Sequence, residues 1–176
     1  MNRRLTRVLT VLALAMCGAW GPAARAGDVP EYRLKTAFVF NFMRFTQWPE
    51  TTGKTLTLCV YGKDPFGAEI DGLRGKTIGA RTIDVRRVAV GQSLASCQAA
   101  FVSADAVASW QQMAQTLRGQ PLLSLADTPG ALGQGVVINM GLADRKVTFE
   151  ASQRTARGAG LGLSSKLLSL ATTVQQ

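Results

Sequence analysis

Histidine is missing from the entire sequence of 176 residues. Its absence removes the commonest general base near neutral pH and the commonest metal-binding side chain. No Ser-His-Asp or Cys-His set can be assembled, and a zinc site would need both remaining cysteines plus carboxylates, unlike the usual structural sites. A clustered basic stripe is also missing. Arg86-Arg87 and Arg145-Lys146 are isolated pairs, which argues against a nucleic-acid interface. The phosphate-binding glycine patterns are absent too. Gly130-Ala-Leu-Gly133-Gln-Gly135 and Gly158-Ala-Gly160-Leu-Gly162 are glycine-rich, but neither keeps the G-x-G-x-x-G spacing, and no G-x-x-x-x-G-K-[ST] occurs. These read as loop and close-packing glycines. A cofactor is therefore not expected, and neither is a metal.

What is present begins with an export signal. Arg3, Arg4 and Arg7 precede the uncharged apolar run Val8–Trp20, and Ala24-Arg25-Ala26 follows. A positive start, a short apolar stretch and A-x-A make a secretory signal peptide over residues 1–26, cleaved after Ala26. The run is about 13 residues, short of the roughly 20 that a membrane span needs. Leu14-Ala15-Met16-Cys17 resembles a lipoprotein box, but Met16 is larger than the small residue expected before a lipidated cysteine. Removing Arg3, Arg4, Arg7 and Arg25 from 20 basic and 11 acidic residues leaves a net charge of +5. That modest excess reads as solvated surface with mild attraction to anionic partners. At 47% hydrophobic and 18% charged, residues 27–176 can bury one core as a single domain.

Cysteine is scarce. Of three, Cys17 lies in the signal, leaving Cys59 and Cys97. An oxidising compartment lets a pair persist as a disulfide. If the strands that carry them are neighbours, the loop of about 38 residues contributes roughly 3–4 kcal/mol. The other reading is two separate buried thiols.

Glu31–Trp48 reads as a helix, with Leu34, Phe38, Phe42 and Phe45 on one face and Arg33, Lys35 and Arg44 on the polar side. Pro49 ends it. Thr55–Tyr61 alternates as a strand. Gly62-Lys63-Asp64-Pro65 is a turn, Phe66–Leu73 a short helix, and Thr82–Val88 a second strand. Ala99–Val102 is a third, with Ser103 capping a helix that runs to about Arg118. Pro121–Leu125 is the next strand. Gly135–Gly141 and Arg145–Glu150 form a hairpin through Leu142-Ala143-Asp144. Ser152–Ala171 reads as one helix or two, with Leu161, Ser164, Ser165, Leu168 and Ala171 on a shared face. This order predicts an α/β fold. It is a single-domain layered sandwich with a largely parallel, Rossmann-like mixed sheet and a C-terminal β-hairpin plus helix.

Three acidic positions stand out. Asp64 and Asp127 follow apparent parallel strands, where open α/β sheets bind ligands; they could form a small-molecule or acid–base site, or cap turns. Glu150 ends a strand, with Arg154 and Arg157 within reach for an ion pair and a recognition role as the sharper reading.

A set of motifs runs along the chain: Lys35-Thr-Ala-Phe-Val-Phe-Asn41-Phe-Met-Arg-Phe45 with Trp48-Pro49, Leu58-Cys-Val-Tyr-Gly62 and Asp64-Pro-Phe-Gly67, and Cys97 before an apolar strand. It closes with Val147-Thr-Phe-Glu150 and Gly160-Leu-Gly-Leu-Ser-Ser165-Lys-Leu-Leu168. This set carries a resemblance to the YfiR family. It implies a periplasmic, non-enzymatic regulator in cyclic di-GMP signalling. The partner implied is the periplasmic domain of an inner-membrane diguanylate cyclase, with an outer-membrane lipoprotein as competitor and self-association as a homodimer. Cys59 and Cys97 match one disulfide of the family. Its best-described member has a second, later disulfide; this chain has no cysteine after Cys97, so tuning through that bond is not expected. The partner-binding candidates are Phe40, Asn41, Arg44 and Trp48 on the first helix, with Phe149 and Glu150 at the hairpin end.

Overall fold

The computed structural model describes residues 31–144 and 146–176; the expected signal peptide lies outside the described residues. The first helix, α1 (Glu31–Arg44), is shorter than the periodicity predicts. Its end is taken over by side chains. Thr46 Oγ1 donates to the Phe42 carbonyl at 2.7 Å, and Trp48 Nε1 donates to that of Met43 at 3.0 Å. Carbonyls of the last turn are thereby satisfied without further helix. The chain then enters β1 (Thr46–Gln47).

The parallel body follows. β2 (Thr55–Tyr61) leads through α2 (Ala68–Asp71) and β3 (Thr77–Ile78) to β4 (Arg81–Val88). Next come β5 (Ala99–Val102), α3 (Ala104–Thr116) and β6 (Leu123–Ala126). A 3-10 turn precedes the hairpin of β7 (Ile138–Ala143) and β8 (Lys146–Ser152). With a last strand, β10 (Thr173–Gln175), the sheet order is β10-β8-β7-β6-β5-β2-β4-β3. Strands β4, β2, β5, β6 and β7 run parallel, while β3 and β8 are antiparallel to their inner neighbours. The expected mixed, largely parallel sheet is thus observed.

The C-terminal segment differs from the expected helix or helix pair. Ser152 Oγ caps α4 (Gln153–Gly158) by accepting from Thr155 N–H at 3.2 Å. Gly160 takes a φ of 68°, a left-handed turn that ends helical geometry. The chain forms β9 (Gly162–Leu163), which pairs antiparallel with β1. Ser164 Oγ then caps α5 (Ser165–Leu168). Leu161, Ser164, Ser165, Leu168 and Ala171 therefore share no continuous helical face. The last strand, β10 (Thr173–Gln175), adds to the sheet parallel to β8.

Strand alternation sorts the core into two layers. Leu56, Leu58, Val60, Phe101 and Leu125 pack with Val39, Phe42 and Met43 of α1. Cys59, Tyr61, Ala100 and Val102 pack with Ala106, Val107 and Trp110 of α3. Both faces of β2 are covered, so the strand is buried after Thr55, as a central parallel strand requires. Cys59 and Cys97 are bonded, with Cα atoms 6.0 Å apart, closing the layer beneath α3. Of the face expected on α1, Phe42 is buried and Leu34, Phe38 and Phe45 are half-buried. Phe38 and Phe45 pack against the buried core, which spreads apolar contact around more than one side of the helix.

Candidate functional site

The sheet reverses its winding between β2 and β5, the position where open α/β sheets receive ligands. A carboxylate fills that position. Asp105, in the first turn of α3, accepts from the Lys63 N–H through Oδ1 at 3.1 Å and Oδ2 at 3.2 Å. Gly62 makes the approach possible: its φ is +103°, and a Cβ there would stand 2.6 Å from Asp105 Oδ1. A negative group at this crevice opposes phosphate binding.

Asp64 turns out to be a turn residue. Its Oδ1 accepts from Phe66 N–H at 2.8 Å, and its Oδ2 pairs with Arg87 Nε at 2.9 Å. Arg87 also holds Asp71 at 2.7 Å, which keeps the Asp71 carboxyl below its ordinary range. Asp127 has different partners. Tyr32 Oη donates to it at 3.0 Å and Lys35 Nζ at 2.6 Å. The two aspartates are each committed to a separate cation and do not form a carboxylate dyad.

Asp127 belongs to a polar cluster that is largely shielded from water. Lys35 was expected on the polar side of α1; it is 4% exposed instead. It lies between Glu31, one helical turn back, and Asp127. Burial alone would pull its ammonium down, but the hydrogen bonds to Asp127 and Glu31 outweigh that and leave the pKa raised. Burial, then the neighbouring Asp127 charge, raises the Tyr32 phenol. Lys35, Asp127, Asn139, Glu150 and Thr172 line a cleft of about 390 Å³ where α1 meets the hairpin. Asn139 is 6% exposed. Its Nδ2 donates to Glu150 Oε1 at 3.1 Å, and its buried Oδ1 has no partner among the described residues. With three carboxylates against one ammonium on its walls, the cleft suits a donor-rich or cationic group.

The expected partner residues fall in two places. Phe40 and Asn41 are half-buried on α1 and Arg44 is exposed. The Lys76 ammonium lies 5.7 Å from the centre of the Phe40 ring, and Trp48 is half-buried with its indole N–H held by Met43. Phe149 is 4% exposed and packs edge-on to Phe42 with centroids 4.9 Å apart, so its side chain belongs to the core. Glu150 is half-buried at the cleft. Its expected ion pair is replaced by Asn139, the residue directly opposite in the antiparallel ladder; Arg154 donates to the Gln176 carbonyl instead. Lys35 and Asn139 escaped the sequence reading. The available signal was a lysine on an apolar helix one turn after a glutamate.

A solved structure of a conserved domain protein from Vibrio cholerae shares this architecture. The TM-score is 0.52 at 9% identity, over 82% of this chain and 60% of that protein. That likeness is one of fold alone, and the chain spans less than two thirds of the Vibrio protein's length. The sequence pattern described as YfiR/HmsC-like matches residues 32–172. The match runs from the cluster around Lys35 to the final loop before β10, so the chain belongs to the YfiR/HmsC-like family.

Proposed function

We propose that this protein is a periplasmic regulator that restrains an inner-membrane diguanylate cyclase by binding its periplasmic domain. The family match over residues 32–172 carries the reading. Export follows from the signal sequence, with cleavage after Ala26. Among the described residues no helix is long and apolar enough to cross a membrane, so contact with a membrane partner would be made by a folded surface. The candidate contacts lie in two places, Phe40, Asn41 and Arg44 of α1 with Trp48 just beyond its end, and Glu150 at the cleft, where Phe149 packs beneath. An outer-membrane lipoprotein would compete for the same surface, and a second copy of the chain would assemble as a homodimer. Control needs no catalysis: a partner bound better in one state than the other shifts the cyclase between them.

The test is capture from the native host. Tagged, exported protein is lightly crosslinked and its membrane partners are identified by mass spectrometry. A diguanylate cyclase with a periplasmic domain is the expected catch, with cyclic di-GMP rising on deletion of the regulator. Glu150→Lys should weaken that capture without loss of fold. Failure to recover any membrane partner, with cyclase expressed and bait folded, overturns the proposal. It would shift weight to a small-molecule binder at the strand ends, where the cleft beside Asp127 and the unpaired Asn139 oxygen support such a role.

A further inference from the structure

A second cleft lies on the other layer of the molecule. It has a volume of about 470 Å³, within the range of small-molecule sites. The end of α3, the start of β6, the 3-10 turn and α4 enclose it. Its apolar wall is made by Leu117, Leu122, Leu132 and Val137. Its polar lining includes Gln111, Gln115, Gln134 and Thr155, and two buried donors stand out among the rest. Trp110 forms part of the wall and is 1% exposed, and its buried indole N–H has no hydrogen-bond partner among the described residues. An unmet buried donor costs about 1–3 kcal/mol, so an acceptor brought by a ligand is favoured. Ser124 is also buried. Its Oγ accepts from Val137 N–H at 2.9 Å, which leaves its own proton to donate.

The charge on the walls points the same way. Arg118 is the one charged side chain lining the cleft among the described residues, and no carboxylate does so. Gln120 also lines it, but its amide nitrogen is engaged with the carbonyls of Leu94, Ala95 and Cys97. That arrangement joins the rim of the cleft to the loop that ends in the disulfide.

We propose that this cleft binds a small organic carboxylate with an apolar body, its anionic end toward Arg118 and Trp110 and its body on the leucine wall. The site is separate from the partner surface on α1, so it gives the protein a chemical input of its own. The opposite charge of the two clefts sets their preferences apart: the cleft at Lys35 carries three carboxylates, and this one carries a single guanidinium.

The probe is phenylacetate, titrated into the exported protein and followed by the indole N–H resonances in nitrogen-correlated NMR. Trp48→Phe assigns the two signals of the mature chain. The expected result is a saturable shift of the Trp110 signal with Trp48 unmoved. Affinity should fall about tenfold in Arg118→Gln, the loss expected for one charge-assisted hydrogen bond, and by a similar factor for the neutral probe phenylacetamide. Arg118 is exposed, so that variant should fold, as unchanged thermal melting would verify. An unmoved Trp110 signal at millimolar phenylacetate overturns the site. Equal affinity in folded Arg118→Gln, or for the amide, overturns the anion assignment. Both results are independent of whether the partner capture succeeds.

Discussion

The pairing of Lys35 with Asp127 is set where water has little access. Their side chains are 5% and 8% exposed. Breaking a buried pair by removing one partner leaves an uncompensated charge and costs about 3–5 kcal/mol. Glu31 remains to hold Lys35 when Asp127 is lost, so Asp127→Asn should cost about 2–3 kcal/mol and Lys35→Met somewhat more. The double variant Lys35→Met/Asp127→Leu should recover most of the loss, because apolar replacement of both members removes the desolvation penalty. Urea unfolding of the three variants measures this. A double variant no better than the worse single one would show that the cluster holds the hairpin against α1 by more than its charges. Tyr32 belongs to the same cluster through Asp127 and packs edge-on to Phe66 with centroids 5.1 Å apart, which joins the β2–α2 turn to α1.

Among the elements, β2 and β5 are the pair on which the rest is assembled. The disulfide from Cys59 to Cys97 spans 38 residues, a loop that contains α2, β3 and β4. Closing it removes about 3–4 kcal/mol of unfolded-chain freedom. The Cys59→Ser/Cys97→Ser variant should therefore melt lower by roughly 10 °C, and reducing agent should lower the melting point of the parent by a similar amount. Equal melting with and without reductant would show that packing of the α3 layer already fixes this loop. Just beyond the C-terminal end of β2, Gly62 supports the contact between the Lys63 amide and Asp105. Gly62→Ala adds an atom where Asp105 Oδ1 stands and strains a left-handed backbone, with an expected cost of about 2 kcal/mol. Asp105→Ala in that background should relieve the clash and leave the backbone strain, so a partial rescue in urea unfolding is expected.

For the whole molecule, the lack of histidine shapes the response to pH. The resolved shifts lie at the extremes. Tyr32 and Lys35 are raised above 10.0 and 10.5; their stabilisation is fully present below those values and is lost as pH rises through the folded pKa. Asp71 is lowered below 3.8 by Arg87; its contribution is present above that value and is lost as pH falls through the folded pKa, and its exposure keeps it small. Stability should be nearly flat from about pH 5 to 8 and fall on the alkaline side above about pH 10. Thermal melting across this range tests it, and a steep change near neutrality would contradict it.

The order of the principal strands and helices, the parallel body and the hairpin were legible in the residues, whereas the short strands β1, β3, β9 and β10 were not. Strand alternation in Thr55–Tyr61 and Thr82–Val88, and helical spacing in Val107, Trp110 and Leu117, depend on local periodicity that any folded context must respect. The C-terminal segment was not legible. Gly160 and the two serine caps could be seen, but the strand partners that stop the helix, β1 for β9 and β8 for β10, are more than 20 residues away in sequence. The cysteines could be paired on the condition that their strands were neighbours, and only the sheet supplied that condition. Lys35 looked like a surface cation because sequence spacing assigns a helix face but cannot say what lies against it. Its burial was decided by Asp127, 92 residues later. Sequence alone thus determined the class of fold and the family, since these reside in local pattern and composition. Tertiary structure decided which charges are spent on each other and which donors are left unmet, because both depend on contacts between residues far apart in the chain.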